Sequence, residues 1–218
     1  GLYYLFITIK MIKYMDKIDD YIRQNVGFEI EKNSFNNLLK EMLAKFSQVN
    51  DPFSLSVLYY KYFKKFKRIK TNKPKDCLKV GVIGELYTLM EPFSNYYLEK
   101  QLASFNIQIK RFTNVDYLLF KHKKTINKAL IKSKKYMKYK MSADASSNIY
   151  WAKYLGINKY DGIIHIKSSF CTPEIGIMPI LDKVASNYNI PIIYFSFDAN
   201  TSEVGMKTRL EAFYDMIE

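Results

Sequence analysis

The run Leu78-Lys79-Val80-Gly81-Val82-Ile83-Gly84-Glu85 decides the fold of this chain. It is short, apolar and rich in β-branched residues, and it ends on a glycine that allows a sharp exit. A helix is expected after it, with Ser94 as cap and Leu98, Leu102 and Phe105 on one face. The unit then repeats. Ile107-Gln108-Ile109 is a second, weaker strand, and residues 114–140 are lysine-rich with apolar positions at helical spacing. Residues 147–158 form a helix with Trp151 and Leu155 on one side, followed by a third strand, Gly162-Ile163-Ile164-His165-Ile166. Residues 173–188 are helical, Ile190 to Phe197 is a fourth strand, and 203–217 is a last helix with Met206, Leu210 and Phe213 in register. Strands alternating with helices of this length imply a parallel sheet with right-handed crossovers. The strands show no in/out alternation, so both faces are covered. The expected fold is α/β: a flavodoxin/Rossmann-like doubly wound parallel four-stranded sheet, order 2-1-3-4, with an N-terminal helical segment.

Upstream the periodicity is helical. Leu5, Ile9, Ile12, Met15, Ile18 and Ile22 recur at three- and four-residue steps. Phe35, Leu38, Leu39, Met42, Leu43 and Phe46 repeat the pattern behind Asn33 or Ser34 as cap. A third helix starts near Asp51-Pro52 and runs through Leu55, Leu58, Tyr62 and Phe66. The polar, proline-bearing stretch Thr71-Asn72-Lys73-Pro74-Lys75-Asp76 marks a boundary. The expected division is a helical segment, 1–72, and an α/β domain, 73–218. The segment either packs on the sheet domain or belongs to a further N-terminal domain. The chain begins on Gly1 rather than methionine, so a fragment is expected, with part of a site lying upstream.

Composition narrows the class. At 48% hydrophobic and 16% aromatic, 218 residues can bury a core. No apolar run approaches the roughly 20 residues of a membrane span. The start lacks a basic leader and a small-residue cleavage site, so no signal peptide and no membrane partner are expected. The net charge is +13, but nearly all of it is lysine; the arginines are Arg23, Arg68, Arg111 and Arg209. The lysines accompany abundant Asn, Ile and Tyr, the mix that A/T-rich codons produce. Solvated lysine faces are therefore expected, and nucleic acid is not the expected partner. Two cysteines, Cys77 and Cys171, without a CxxC pair exclude a disulfide scaffold and a self-contained four-cysteine metal site. A reducing cytoplasm fits.

Ligands of open parallel sheets bind at the carboxyl ends of strands where the winding reverses, here between the first and third. One segment there is Gly84-Glu85-Leu86, with Glu91-Pro92-Phe93-Ser94-Asn95 adding a second acid before the helix. The other is Lys167-Ser168-Ser169-Phe170-Cys171-Thr172-Pro173-Glu174. Thr172 suits an N-cap and Pro173 a first helical position, which leaves Cys171 beside free N–H groups at the positive helix end. That setting favours thiolate, the form that binds metal or attacks as a nucleophile. A small cysteine packing a turn explains the same residue, and both readings stand at this point. Cys77, at the amino end of its strand, reads as structural. His165, inside a strand, reads as a satisfied core histidine, and His122, among lysines, as solvated. Asp198, Thr201, Ser202 and Glu203 either cap the last helix or line the cleft. No P-loop, G-x-G-x-x-G, metalloprotease or nucleophile-elbow pattern occurs. From these residues alone, the alternative function is a non-catalytic module. It would bind a nucleotide or CoA-type phosphate at the amino ends of the helices after residues 94 and 172.

Four segments together resemble one family: Val80 to Tyr87 with Glu91-Pro92-Phe93, Asp161 to Ile166, Phe170-Cys171-Thr172-Pro173-Glu174-Ile175, and Thr208-Arg209-Leu210-Glu211-Ala212-Phe213. The resemblance is to the C-terminal half of the 2-hydroxyacyl-CoA (2-hydroxyglutaryl-CoA) dehydratase and CoA-enzyme activase-associated proteins. Within them it is to predicted activator components rather than to a catalytic subunit, and it covers about residues 79 to 217. It implies an iron–sulfur protein of anaerobes, a component of a dehydratase (a lyase) or of its activating system. The implied partners are an ATP-dependent activase delivering low-potential electrons and a second dehydratase-like subunit. Cys171 occupies the place of a cluster ligand. Gly84, Glu85, Glu91, Ser168, Ser169, Phe170, Thr172 and Glu174 line the site, with Glu85 and Glu174 acting through charge and hydrogen bonds. A [4Fe-4S] cluster needs several cysteines. The others are expected outside this chain, which alone is expected to be inactive and cluster-free.

Overall fold

The structure, a computed structural model, describes residues 1–218. The chain forms two compact units, Gly1–Asp76 and Cys77–Glu218.

The first unit is three helices, α1 (Leu2–Arg23), α2 (Ser34–Phe46) and α3 (Pro52–Arg68). Asp51 starts α3 as expected: its carboxylate accepts the N–H groups of Phe53 and Ser54 at 3.0 and 2.8 Å, ahead of Pro52. Neither expected cap of α2 works through its side chain; Asn33 adopts a left-handed backbone and makes no capping bond. The buried seam joins Ile18 and Ile22 to Phe35, Met42, Phe46, Leu55 and Phe66. On α1 the expected Met15, Ile18 and Ile22 lie in the seam, which continues toward the N-terminal end through Met11 and Ile7, whereas Leu5 is exposed.

The second unit holds the sheet. β1 (Lys79–Gly84), β2 (Gln108–Arg111), β3 (Gly162–Ser168) and β4 (Ile192–Phe197) are all parallel and lie in the order β2-β1-β3-β4. The expected fold is the observed one. β2 starts one residue later than Ile107 and extends to Arg111.

Between β1 and β2 the chain forms a short helix α4 (Leu86–Met90), a 3-10 turn (Pro92–Asn95) and α5 (Leu98–Ser104). Ser94 is not the cap of α5. Asn95 accepts the Leu98 N–H at 3.1 Å, across two tyrosines, Tyr96 and Tyr97, with φ of 52° and 55°. Between β2 and β3 lie a π-turn (Tyr117–Lys121), α6 (His122–Lys132) and α7 (Ala145–Ile157). α8 (Thr172–Tyr188) precedes β4, and α9 (Glu203–Ile217) closes the chain. Pro179 stands inside α8 and leaves the Ile175 carbonyl without its helical donor.

Each face of the sheet has its own core. α5 and α9 pack with Val82, Ile109, Ile164 and Phe195 on one face, and α7 and α8 with Ile83 and Ile163 on the other. Winding outward from β1 in two directions, on opposite faces, places the reversal between β1 and β3.

Candidate functional site

β1 and β3 pair from Val80↔Gly162 to Gly84↔Ile166, so the loops that follow them leave the sheet side by side. Gly84 makes the approach possible. Its φ is +144°, and a Cβ there would lie 1.8 Å from the Ile166 carbonyl oxygen. Only glycine fits. The next residue extends the ladder, with Glu85 N–H donating to Ile166 O at 2.9 Å. The Glu85 carboxylate then turns to the neighbouring loop: Oε2 accepts the Ser168 N–H at 3.2 Å and the Thr88 hydroxyl. Two loops 83 residues apart in sequence are thereby stitched together.

Asn148, in the first turn of α7 and buried, secures the end of β1 from below. Its Oδ1 accepts the Gly84 N–H at 3.3 Å, and its Nδ2 donates to Gly84 O at 3.0 Å and to Glu174 Oε2 at 2.9 Å. The same Glu174 oxygen lies 2.7 Å from His165 Nε2, and both residues are fully buried. His165 Nδ1 and Glu174 Oε1 have no partner. His165 is the core histidine expected, paired through one ring nitrogen.

Cys171 is partly exposed and occupies the N-cap of α8, one residue before the expected cap Thr172, which is exposed and already helical. The loop is closed by Cys171 N–H donating to Ser168 O at 3.1 Å. The expectation of a favoured thiolate fails. Burial pushes the thiol above its ordinary range, and the negative charges of Glu174 and Glu85 add to the shift. The Glu174 backbone N–H on the sulfur and the nearby Lys167 act in the opposite sense and are outweighed. A helix N-terminus alone does not make a thiolate when the sulfur is buried and carboxylates stand near it.

A third carboxylate converges here. Asp144, buried just before α7, accepts the Leu86 N–H, and its acidity is weakened chiefly by burial and then by the charge of Glu174. His122 approaches it, Nε2 to Oδ1 at 3.6 Å, and packs edge-on against Tyr117. His122 is therefore not the solvated residue expected, because the π-turn before α6 swings it inward. Lys167, buried on β3, donates to Ser168 O at 3.4 Å.

The remaining expected residues disperse. Glu91 caps the 3-10 turn, accepting the Phe93 N–H at 3.1 Å. Ser169 donates to Asp198 at 2.7 Å, Phe170 projects into solvent, and Ser202 caps α9 through the Gly205 N–H. Gly84, Glu85, Ser168 and Cys171 are thus brought together. Glu174 reaches them from inside the core. Cys77 lies at the far, amino end of the sheet, 3.9 Å from Gln108 Oε1. A depression of about 470 Å³ beside Gly156, Asp161 and Pro191 also lies at that amino end, away from the converging loops.

Asn148 and Asp144 were absent from the expected set, and Lys167 entered it only as the start of the loop segment. The signal for the first two is Asp144-Ala145-Ser146-Ser147-Asn148, a polar run that is buried throughout at the head of a helix. Buried polar side chains need partners; Asn148 finds its own at Gly84 at the end of β1, and Asp144 at the Leu86 N–H just beyond it.

A parallel doubly wound unit with a thiol and three carboxylates at its switch point is the class of protein that the structure defines. The family model for the 2-hydroxyglutaryl-CoA dehydratase D-component matches residues 24–217, and the chain belongs to that family. No curated protein matches it at a significant level. The match is to a dehydratase component, and it does not support the activator role that the sequence suggested. A family of CoA-ester dehydratase components fits a multi-subunit system. No helix is long and apolar enough to cross a membrane.

An iron–sulfur cluster, which the sequence resemblance implies, is only partly accommodated. No three His, Cys, Asp or Glu side chains are placed to hold a metal ion together, and the second cysteine is at the opposite end of the sheet. These residues fit one ligand position, Cys171, and not a whole cluster.

Proposed function

We propose that the chain serves as a component of a 2-hydroxyacyl-CoA dehydratase, with the β1–β3 rim as its working edge. Cys171 supplies one thiolate to a [4Fe-4S]-type cluster whose other ligands come from outside these 218 residues. Such a cluster would accept low-potential electrons from an ATP-dependent activase, and a second dehydratase-like subunit would complete the assembly. The observation that carries this reading is the position of the sulfur at the paired ends of β1 and β3, with the Glu174 N–H directed to it. The raised pKa of the thiol is compatible with ligation, because a metal displaces the proton that burial and the nearby carboxylates retain. Ser168 and Glu85 hold the loop, and Asn148, His165 and Glu174 hold the floor beneath it.

The competing reading, a phosphate or nucleotide held at the same rim, is weakened by Glu85, Asp144 and Glu174, whose charges repel an anion there.

The test is anaerobic reconstitution with iron and sulfide of the chain together with its partner polypeptides, comparing native protein with Cys171→Ser. Loss of iron and of visible absorbance in the variant supports ligation. Equal iron content in both would remove Cys171 from the ligand set.

A further inference from the structure

The sheet unit carries its positive charge in one place. Residues 117–143 contain nine lysines and no aspartate or glutamate, while the rest of residues 77–218 holds ten basic and thirteen acidic side chains. Codon bias toward lysine spreads such residues over all solvated faces; it explains their abundance and not this segregation. Lys121 pairs with Asp116. The other eight are exposed and make no ion pair, although Lys135 lies 5.8 Å from the Tyr136 ring. Lys124, Lys128 and Lys132 follow one another at four-residue steps on α6, so like charges stack along one ridge, an arrangement that weakens a helix.

Two large apolar side chains stand among these lysines: Ile131 is 78% and Tyr139 is 81% exposed. The inner face of α6, formed by Thr125, Ile126 and Ala129, is already buried within the unit. The helix therefore has no free apolar face to sink into a lipid surface. The stretch also contains no arginine, the side chain suited to bidentate phosphate contacts. A one-signed surface with isolated exposed apolar residues matches a protein contact, where charge steers and orients and a few apolar or aromatic residues anchor.

We propose that residues 121–140 form a docking surface for an acidic face of another protein, steered by the lysine ridge and anchored by Ile131 and Tyr139. It lies on a different part of the unit's sequence from Cys171 and stands whether or not that residue ligates a cluster.

The test uses three fluorescent probes matched in charge: a glutamate–tyrosine copolymer, poly-glutamate and a mixed-sequence single-stranded RNA. The copolymer is expected to bind tightest and to weaken roughly tenfold or more between about 50 and 200 mM salt. Reversing Lys124, Lys128 and Lys132 to glutamate should abolish binding. Neutralising the same three to glutamine should weaken it in the same order, which keeps the test sound if the reversal does not fold. Ile131→Ser with Tyr139→Ser should remove the copolymer's advantage over poly-glutamate and leave poly-glutamate binding intact. Reversing Lys61, Lys64 and Lys67 on α3 should leave binding unchanged. The proposal is overturned if RNA binds more tightly than the copolymer, if the α3 reversal weakens binding equally, or if the apolar pair makes no difference.

Discussion

Glu174 Oε2 lies 2.7 Å from His165 Nε2 in a fully buried pair, and the same oxygen accepts from Asn148. One carboxylate oxygen therefore links α8, β3 and α7 beneath the switch point. Removing it strands a histidine nitrogen in the core. Glu174→Leu is expected to cost about 3 kcal/mol in urea unfolding. The double variant Glu174→Leu, His165→Phe should recover part of that, since no buried polar partner is left alone. A double variant no more stable than the single one contradicts this account.

Asn148→Ala removes both bonds to the Gly84 backbone and exposes nothing to water in exchange. A loss of about 1–3 kcal/mol is expected. Hydrogen exchange should rise first at Gly84 and Glu85, while the amide of Phe213, in α9, stays protected at the level of global unfolding.

Two glycines of β1 should respond differently to alanine. At Gly84 the added Cβ meets the Ile166 backbone, which cannot yield, and little folded sheet unit is expected. At Gly81 it comes within 2.2 Å of Leu155 Cδ1, the end of a flexible side chain. Gly81→Ala should therefore be rescued by Leu155→Ala, and Gly84→Ala by no side-chain change. Melting curves of the three variants decide the matter.

The Cys171 thiol should alkylate slowly near neutral pH, in a Cys77→Ser background, and accelerate only above the ordinary cysteine range. Burial is the main cause, and the carboxylates add to it. Glu85→Gln should bring the midpoint of the rate profile down, and Lys167→Met should move it up. Midpoints that coincide in all three proteins would falsify the electrostatic assignment.

Asp144 contributes a pH dependence of opposite sense to that of a paired surface acid. Its folded-state pKa is raised, so the folded chain retains that proton more tightly than the unfolded one. The stabilisation is present at acidic pH, below the unfolded carboxylate range. It disappears as pH rises through the raised folded value. Asp144→Asn should thus gain stability relative to native protein near neutral pH, with the difference shrinking as the solution is acidified. Denaturant midpoints across that range measure it.

The sheet and its strand order were legible because each strand is an uninterrupted apolar run between turn residues, and because alternating elements admit few windings. The paired ends of β1 and β3 followed from that order. The local chemistry was less visible. The N-cap of α5 falls at Tyr97 rather than Ser94, with Asn95 accepting the Leu98 N–H, because Tyr96 and Tyr97 take left-handed backbones, for which tyrosine gives no signal. The acidity of Cys171 ran opposite to expectation chiefly because the fold buries the sulfur, and then because Glu174 and Glu85 bring negative charge to it from two separate elements. His122 looked solvated among lysines, yet a π-turn carries it to Asp144.

Pro179 gives the loop before α8 a measure of independence. With the Ile175 carbonyl released from the ladder, the opening turn that begins at Cys171 is joined to the body of α8 by one fewer bond than an unbroken helix would provide. Glu174 keeps that opening turn seated on His165 and Asn148, so the missing bond falls between an anchored first turn and an anchored helix body.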